Sequence, residues 1–199
     1  MNLKNTIQAC TQVLVEHVEE LTALDAAIGD GDHGLNMKRG ALAIQAKLGE
    51  LANQSLNDAL KTMGMTCMST VGGSAGPVFG TLMVTLGKEL SPQPHAADVA
   101  RALAAGIAAL SRLGKVEVGQ KTLLDVLDPV QKVLARHAPG SDDDIVARVR
   151  QCAHDSAAAT ARMDAIKGRA SFLGDRALGH VDPGSRSMAL IIAAVCDTL

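Results

Sequence analysis

The chain has 199 residues and a formal net charge of −2, its 19 basic and 21 acidic side chains scattered along the sequence. It lacks Trp and Tyr and has only Phe79 and Phe172, so neither the basic footprint nor the stacking platforms of a nucleic-acid binder are present. Cys10, Cys67, Cys152 and Cys196 are far apart with no C-x-x-C pairing, which points to reduced core thiols in a cytoplasm rather than a disulfide or zinc framework.

The first 24 residues place Ile7, Leu14, Val18 and Leu21 on a helical stripe, interrupted by Glu16, Glu19 and Glu20. Those acids exclude the apolar centre of a signal peptide, and no later stretch is long and apolar enough to span a bilayer. A cytoplasmic protein with no membrane partner is expected. Residues 25–36 then read D-A-A-I-G-D-G-D-H-G-L-N, with Asp25, Asp30 and Asp32 inside eight positions. Like charges this close repel unless a cation lies among them, and hard carboxylate oxygens suit Mg²⁺ or Ca²⁺ rather than zinc. The rival EF-hand reading fails, because the twelfth position from Asp30 is Ala41 and from Asp25 is Asn36, where a bidentate Glu belongs. A divalent-metal site beside a helix N-terminus is a setting for phosphoryl chemistry, although a solvated helix–helix connection would use the same residues.

Further stripes follow at Ile44, Leu48, Leu51 and at Leu56, Leu60, Met63, Cys67, the second opened by Ser55 and Asp58 at capping-box spacing. Residues 71–77, V-G-G-S-A-G-P, combine exposed amides with a Pro suited to a first helical turn, which favours an anion or simply a tight turn. No G-K-[ST] follows, so this is not a Walker A loop. Near Gly114, Lys121-Thr122 either touches a nucleotide or starts a helix. Ser141 with Asp144 repeats the capping-box spacing, and Ile145, Val149, Cys152, Ser156, Thr160 and Met163 continue at steps of three and four. The long segment 167–185 carries Arg169 and Arg176, either of which suits a phosphate, then an Asp182-Pro183-Gly184 turn, with Ser185 as cap of the last helix. His17, His95, His137 and His154 are expected at the surface. Strand signals are nearly absent, so the expectation is a single all-α domain over 1–199 with about eight helices.

Together these motifs resemble the L subunit of dihydroxyacetone kinase, or the equivalent C-terminal domain of single-chain dihydroxyacetone kinases. The resemblance rests on Leu24-Asp25, residues 28–37, residues 71–77 with Phe79-Gly80, Lys121-Thr122 with Asp125, residues 168–174, and Gly179-His180 with Asp182-Pro183-Gly184, all in the family's order. It implies a barrel or bundle of about eight antiparallel amphipathic helices, with a nucleotide (ADP or ATP) at one end held through phosphates and two Mg²⁺ ions. Carried over by motif, Asp25, Asp30 and Asp32 would hold the ions. His33, Gly34, Leu35 and Asn36 would line the phosphate side with Gly73, Ser74 and Ala75. Gly114, Leu123, Arg169, Asp182, Pro183 and Gly184 would surround the nucleotide, with Arg169 and His33 the candidates for catalysis. Leu123 stands where some relatives have Met, and Ser74-Ala75 reverses an alanine-serine order, which leaves open the source of a hydroxyl.

At this length the chain has no room for the family's substrate-binding domain. The resemblance therefore implies a K-type subunit that holds dihydroxyacetone covalently on a histidine. In the phosphotransferase-system branch it also implies an M-type phosphohistidine subunit that recharges bound ADP, whereas the other branch consumes ATP. Two alternatives stand beside this: an L-type subunit of an ATP-dependent kinase for another short sugar, and a non-catalytic nucleotide-sensing regulatory module.

Overall fold

A computed structural model describes residues 2–137 and 144–199. Among the described residues it contains no strand; the helices are α1 (Leu3–Glu16), α2 (Val18–Ile28), α3 (His33–Gln45), α4 (Leu48–Leu51), α5 (Leu56–Thr70), α6 (Ala75–Glu89), α7 (Ala96–Gly114), α8 (Leu124–Ala135), α9 (Ile145–Ala159) and α10 (Pro183–Cys196). Two 3₁₀ segments, Thr160–Arg162 and Arg169–Ala177, lie between α9 and α10.

Local chemistry sets the boundaries. Asn2 accepts the Asn5 amide at 3.2 Å, Ser55 the Asp58 amide at 3.1 Å and Asp144 the Ala147 amide at 3.0 Å, each satisfying an orphan donor of a first turn. The proposed partner of Asp144, Ser141, lies outside the described residues. The last helix corrects the expectation for Ser185: Asp182 is the cap, its Oδ2 accepting the Ser185 amide at 2.7 Å, with Pro183 at the first position where its missing N–H costs nothing. At His17 the ring Nδ1 lies 2.8 Å from the Val13 carbonyl, and the chain breaks there between α1 and α2.

The helices close on themselves. α3 packs on α1 and α5, α5 on α6, α6 on α7, α7 on α8, α8 on α9, α9 on α10, and α10 returns to α1 and α2. With α1 and α2 counted as one broken stave and α4 as a single turn, this is the expected barrel of about eight helices. Leu21, Leu51, Phe79, Leu124, Val126, Leu127 and Val130 are out of solvent, each burial contributing about 1.5–3 kcal/mol. The α5–α6 seam is tightest through two glycines: a Cβ on Gly64 would stand 2.8 Å from the Gly80 carbonyl oxygen, and one on Gly80 would stand 2.8 Å from that of Gly64.

Short connections between consecutive helices reverse the chain, so every second connection falls at the same end. Residues 29–32, 71–74, 115–123 and 160–182 share one end, and these are the four glycine-rich segments of the sequence. The α3–α5 and α6–α7 connections leave from the other.

Candidate functional site

The four glycine-rich connections enclose a cavity of about 720 Å³. The first supplies acid. Asp25 Oδ2 accepts the amides of Asp32 at 2.9 Å and His33 at 3.1 Å, and thereby caps α3 from the end of α2. Asp32 occupies the cap position but makes no capping bond with its own side chain, which leaves that carboxylate to the cavity. Gly29 is required by close approach: a Cβ there would stand 2.3 Å from Asp25 Oδ1. One oxygen from each of Asp25, Asp30 and Asp32 lies within 4.8 Å of the others. Three hard anionic donors converging from one turn fit Mg²⁺, which takes a few carboxylates and completes its shell with water and phosphate oxygens.

The second connection presents backbone. Gly72 packs against buried Asn36, whose Oδ1 accepts from Arg39 at 3.3 Å, and Ser74 precedes α6 without capping it by its side chain. The Ser74 hydroxyl and the first amides of α6 therefore remain for an anion. Around the third connection, Val116 and Leu123 form an apolar wall with Leu110 of α7 and Leu124 of α8, completed by Val78 and Phe79 of α6. The fourth supplies cations, Lys167 and Arg169, and the exposed ring of Phe172. Arg169 is ion-paired with Asp30.

Of the residues singled out in the sequence, Asp25, Asp30, Asp32, His33, Asn36, Gly73, Ser74, Ala75, Gly114, Leu123, Arg169, Asp182, Pro183 and Gly184 all line this cavity. Gly34 and Leu35 do not. Gly34 is pressed onto α2, where a Cβ would meet the Val18 carbonyl oxygen at 2.3 Å, and Leu35 is 56% exposed on the outer face of α3. Arg176 also lies outside the lining. His95 and His154 are exposed as expected, while His17 and His137 are half-buried.

Titratable groups of the lining are displaced from their ordinary ranges, Lys121 among them, which burial lowers. Burial pulls the His33 imidazole below its usual value against the pull of Asp25 and Asp32, and its Nε2 lies 2.8 Å from Ser187 Oγ. Its ring is thus held against α10 by Ser187. Burial pushes the Asp182 carboxyl up to about 6, the neighbouring Asp125 adding to the shift while the Ser185 amide and hydroxyl oppose it. The thiols behave as core groups: all four are free, and burial raises Cys10 to about 12 and Cys67 to about 11.

The motif reading did not reach Ser187, which is fully buried on α10. Its signal is the pair Ser185 and Ser187 in a helix whose only other polar side chain is Arg186, polar groups that a core admits only with partners. Lys121 and Thr122, left open between a nucleotide contact and a helix start, line the cavity immediately before α8. The Lys121 side chain is buried and its Nζ donates to the carbonyls of Thr160 and His180, both at 2.7 Å.

No helix among the described residues is long and apolar enough to cross a membrane. The DAK2 domain family matches residues 27–197. The chain is 39% identical over 184 residues to the PEP-dependent dihydroxyacetone kinase 1, ADP-binding subunit DhaL, of Listeria innocua, covering 92% of this chain and 88% of that one. It is 35% identical over 192 residues to the corresponding ADP-binding subunit of Escherichia coli, covering 94% and 91%. Its fold superposes on the crystal structure of the dihydroxyacetone kinase of C. freundii with a TM-score of 0.78 at 24% identity, covering 99% of this chain and 34% of that one, about a third of its length.

Proposed function

Because the chain belongs to the DAK2 domain family, we propose that it is the ADP-binding subunit of a PEP-dependent dihydroxyacetone kinase, a phosphotransferase in which Mg²⁺ and nucleotide lie in the cavity at one end of the helical barrel. The observation that carries this reading is the convergence of three carboxylates, a guanidinium and a free helix N-terminus on one open cavity that also has an apolar wall. Phosphates need the first group of features and a purine needs the second.

Asp25, Asp30 and Asp32 would hold the ions, and Mg²⁺ bound there supplies charge neutralisation at phosphate oxygens. Arg169 offers a forked set of donors to the same phosphates once its pairing with Asp30 opens. Ser74 and the first amides of α6 add neutral donors along the helix dipole. His33, fixed by Ser187, shapes the phosphate end without serving as a nucleophile. Leu110, Val116 and Leu123 keep water from the base. Positioning and electrostatics therefore account for catalysis here, as phosphoryl transfer allows.

The finer partners belong to the same proposal, since the similar chains are named as subunits. The acceptor is dihydroxyacetone on a K-type subunit, the donor an M-type phosphohistidine protein of the phosphotransferase system, and the compartment the cytoplasm. Mass spectrometry of nucleotide released from undialysed protein tests the coenzyme role: about one ADP per chain is expected, and an empty site would favour exchangeable ATP. Reconstitution with K- and M-type subunits tests the activity. Bound ADP without phosphoryl transfer would instead indicate a sensing module, and transfer to a different short sugar would indicate another kinase.

A further inference from the structure

Lys121 looks, from its neighbours Thr122 and Leu123, like one more nucleotide contact, yet its surroundings assign it elsewhere. It is 2% exposed, and its backbone holds φ at +59°, a conformation a side-chain-bearing residue keeps only when its environment fixes it there. That turn is clamped by Asp125, whose two oxygens accept the amides of Gly119 and Thr122, the latter at 2.7 Å. The ammonium has three N–H donors, and three main-chain carbonyls receive them: Thr160 at 2.7 Å, His180 at 2.7 Å and Met163 at 3.4 Å. No donor is left for a phosphate.

Those carbonyls stand at the two roots of the 160–182 connection, whose excursion carries Arg169 to the cavity. The roots also meet each other, the Gly179 amide donating to the Ala161 carbonyl at 2.8 Å and the Asp182 amide to Thr160 Oγ1 at 3.0 Å. Beyond the roots, the 3₁₀ segment Arg169–Ala177 packs on α2 and Arg169 pairs with Asp30, but Gly168 and Gly174 hold positive φ with open space around them, and Phe172 is 89% exposed. The excursion's position is therefore set by its ends together with its packing on α2. We propose that Lys121 is a positioning residue, which ties both roots of this connection to the α7–α8 turn and thereby fixes where Arg169 and Asp182 stand in the cavity. The proposal rests on the cavity being the nucleotide site.

The test uses Lys121→Met, an unbranched side chain one atom shorter that removes every donor. Two measurements are made on the full chain: amide hydrogen exchange across residues 161–179 without nucleotide or Mg²⁺, and the dissociation constant for ADP with Mg²⁺ in the single variants and in the double variant with Arg169→Ala. Exchange in that segment should accelerate roughly tenfold or more while the helices stay protected. Affinity should fall roughly tenfold in the wild-type background and by less than about threefold in the Arg169→Ala background, because a residue acting through Arg169 couples to it. Unchanged exchange overturns the proposal, as do fully additive losses. Should methionine prevent folding, Lys121→Gln, with a shorter arm and fewer donors, is expected to give the same pattern at smaller amplitude. If the wild type itself fails to bind ADP with Mg²⁺, the nucleotide reading of the cavity falls, while the exchange comparison still decides whether Lys121 holds the loop.

Discussion

Arg169 pairs with Asp30 across the mouth of the cavity, so one of three crowded carboxylates is already offset by a side chain from the opposite connection. Both partners are about half exposed, 56% and 44%, and such pairs contribute about 0–1 kcal/mol, so the contact opens at little cost. Arg169→Ala is expected to act in two directions. Titration calorimetry should find Mg²⁺ alone bound as well as or better than by the wild type, since a competing cation is gone. Affinity for ADP with Mg²⁺ should fall by roughly 10- to 100-fold, the value of charged hydrogen bonds to phosphate. Undiminished ADP affinity would remove Arg169 from the site.

The acids are not equivalent. Asp25 accepts two backbone amides at the start of α3, whereas Asp30 makes a surface ion pair. Asp25→Ala should lower stability by about 1–2 kcal/mol in Mg²⁺-free buffer, as the loss of a helix cap does. Asp30→Ala should leave the melting temperature nearly unchanged. Both should lose Mg²⁺-dependent ADP binding. Equal melting temperatures for the two variants would contradict the capping geometry.

Asp182 gives a pH signature. Its carboxyl is raised from 3.8 to about 6, so between those values the folded chain holds a proton that the unfolded chain has lost. Its contribution is then fully present below pH 3.8, declines as pH rises to 6 and is constant above. Asp182→Asn keeps a side chain able to cap α10 and removes the titration. The stability difference between variant and wild type, followed by denaturant unfolding, should therefore shift in favour of the variant from pH 4 to 6 and stay level beyond. A difference flat across that window would refute the raised carboxyl.

The α5–α6 seam admits no side chain. Gly64→Ala places a methyl 2.8 Å from the Gly80 carbonyl and 2.7 Å from Val84 Cγ2, so the helices must separate. A loss of about 1–3 kcal/mol is expected from chemical denaturation. Gly49→Ala, with open space around the position, serves as the control and should not destabilise.

How far the sequence reached differs by residue. The helical stripes and the cap at Ser55 are local patterns of spacing and side-chain reach, and they appear in the structure where the sequence places them, whereas α9 is capped by Asp144, which the capping-box spacing had made the partner of Ser141. Asp25, Asp30 and Asp32 converge because five and two residues of a glycine-rich turn allow little else. Two motif residues and one cap turn on direction. Leu35 and Gly34 stand within a motif, yet a helix turns successive side chains by about 100°, so one faces solvent and the other α2. Ser185 lost the cap to Asp182 because the capping oxygen must precede the amide it serves by about three residues.

The sequence by itself determined an all-helical chain, its acid-rich turn and the four glycine-rich breaks, because periodicity and short-range chemistry act over a few residues. Only the tertiary structure decided that those breaks share one end, that Ser187 meets His33 across 154 positions, and that Lys121 spends its ammonium on backbone instead of ligand. Such pairings depend on how a closed ring of helices sets its register, and no spacing along the chain encodes that directly.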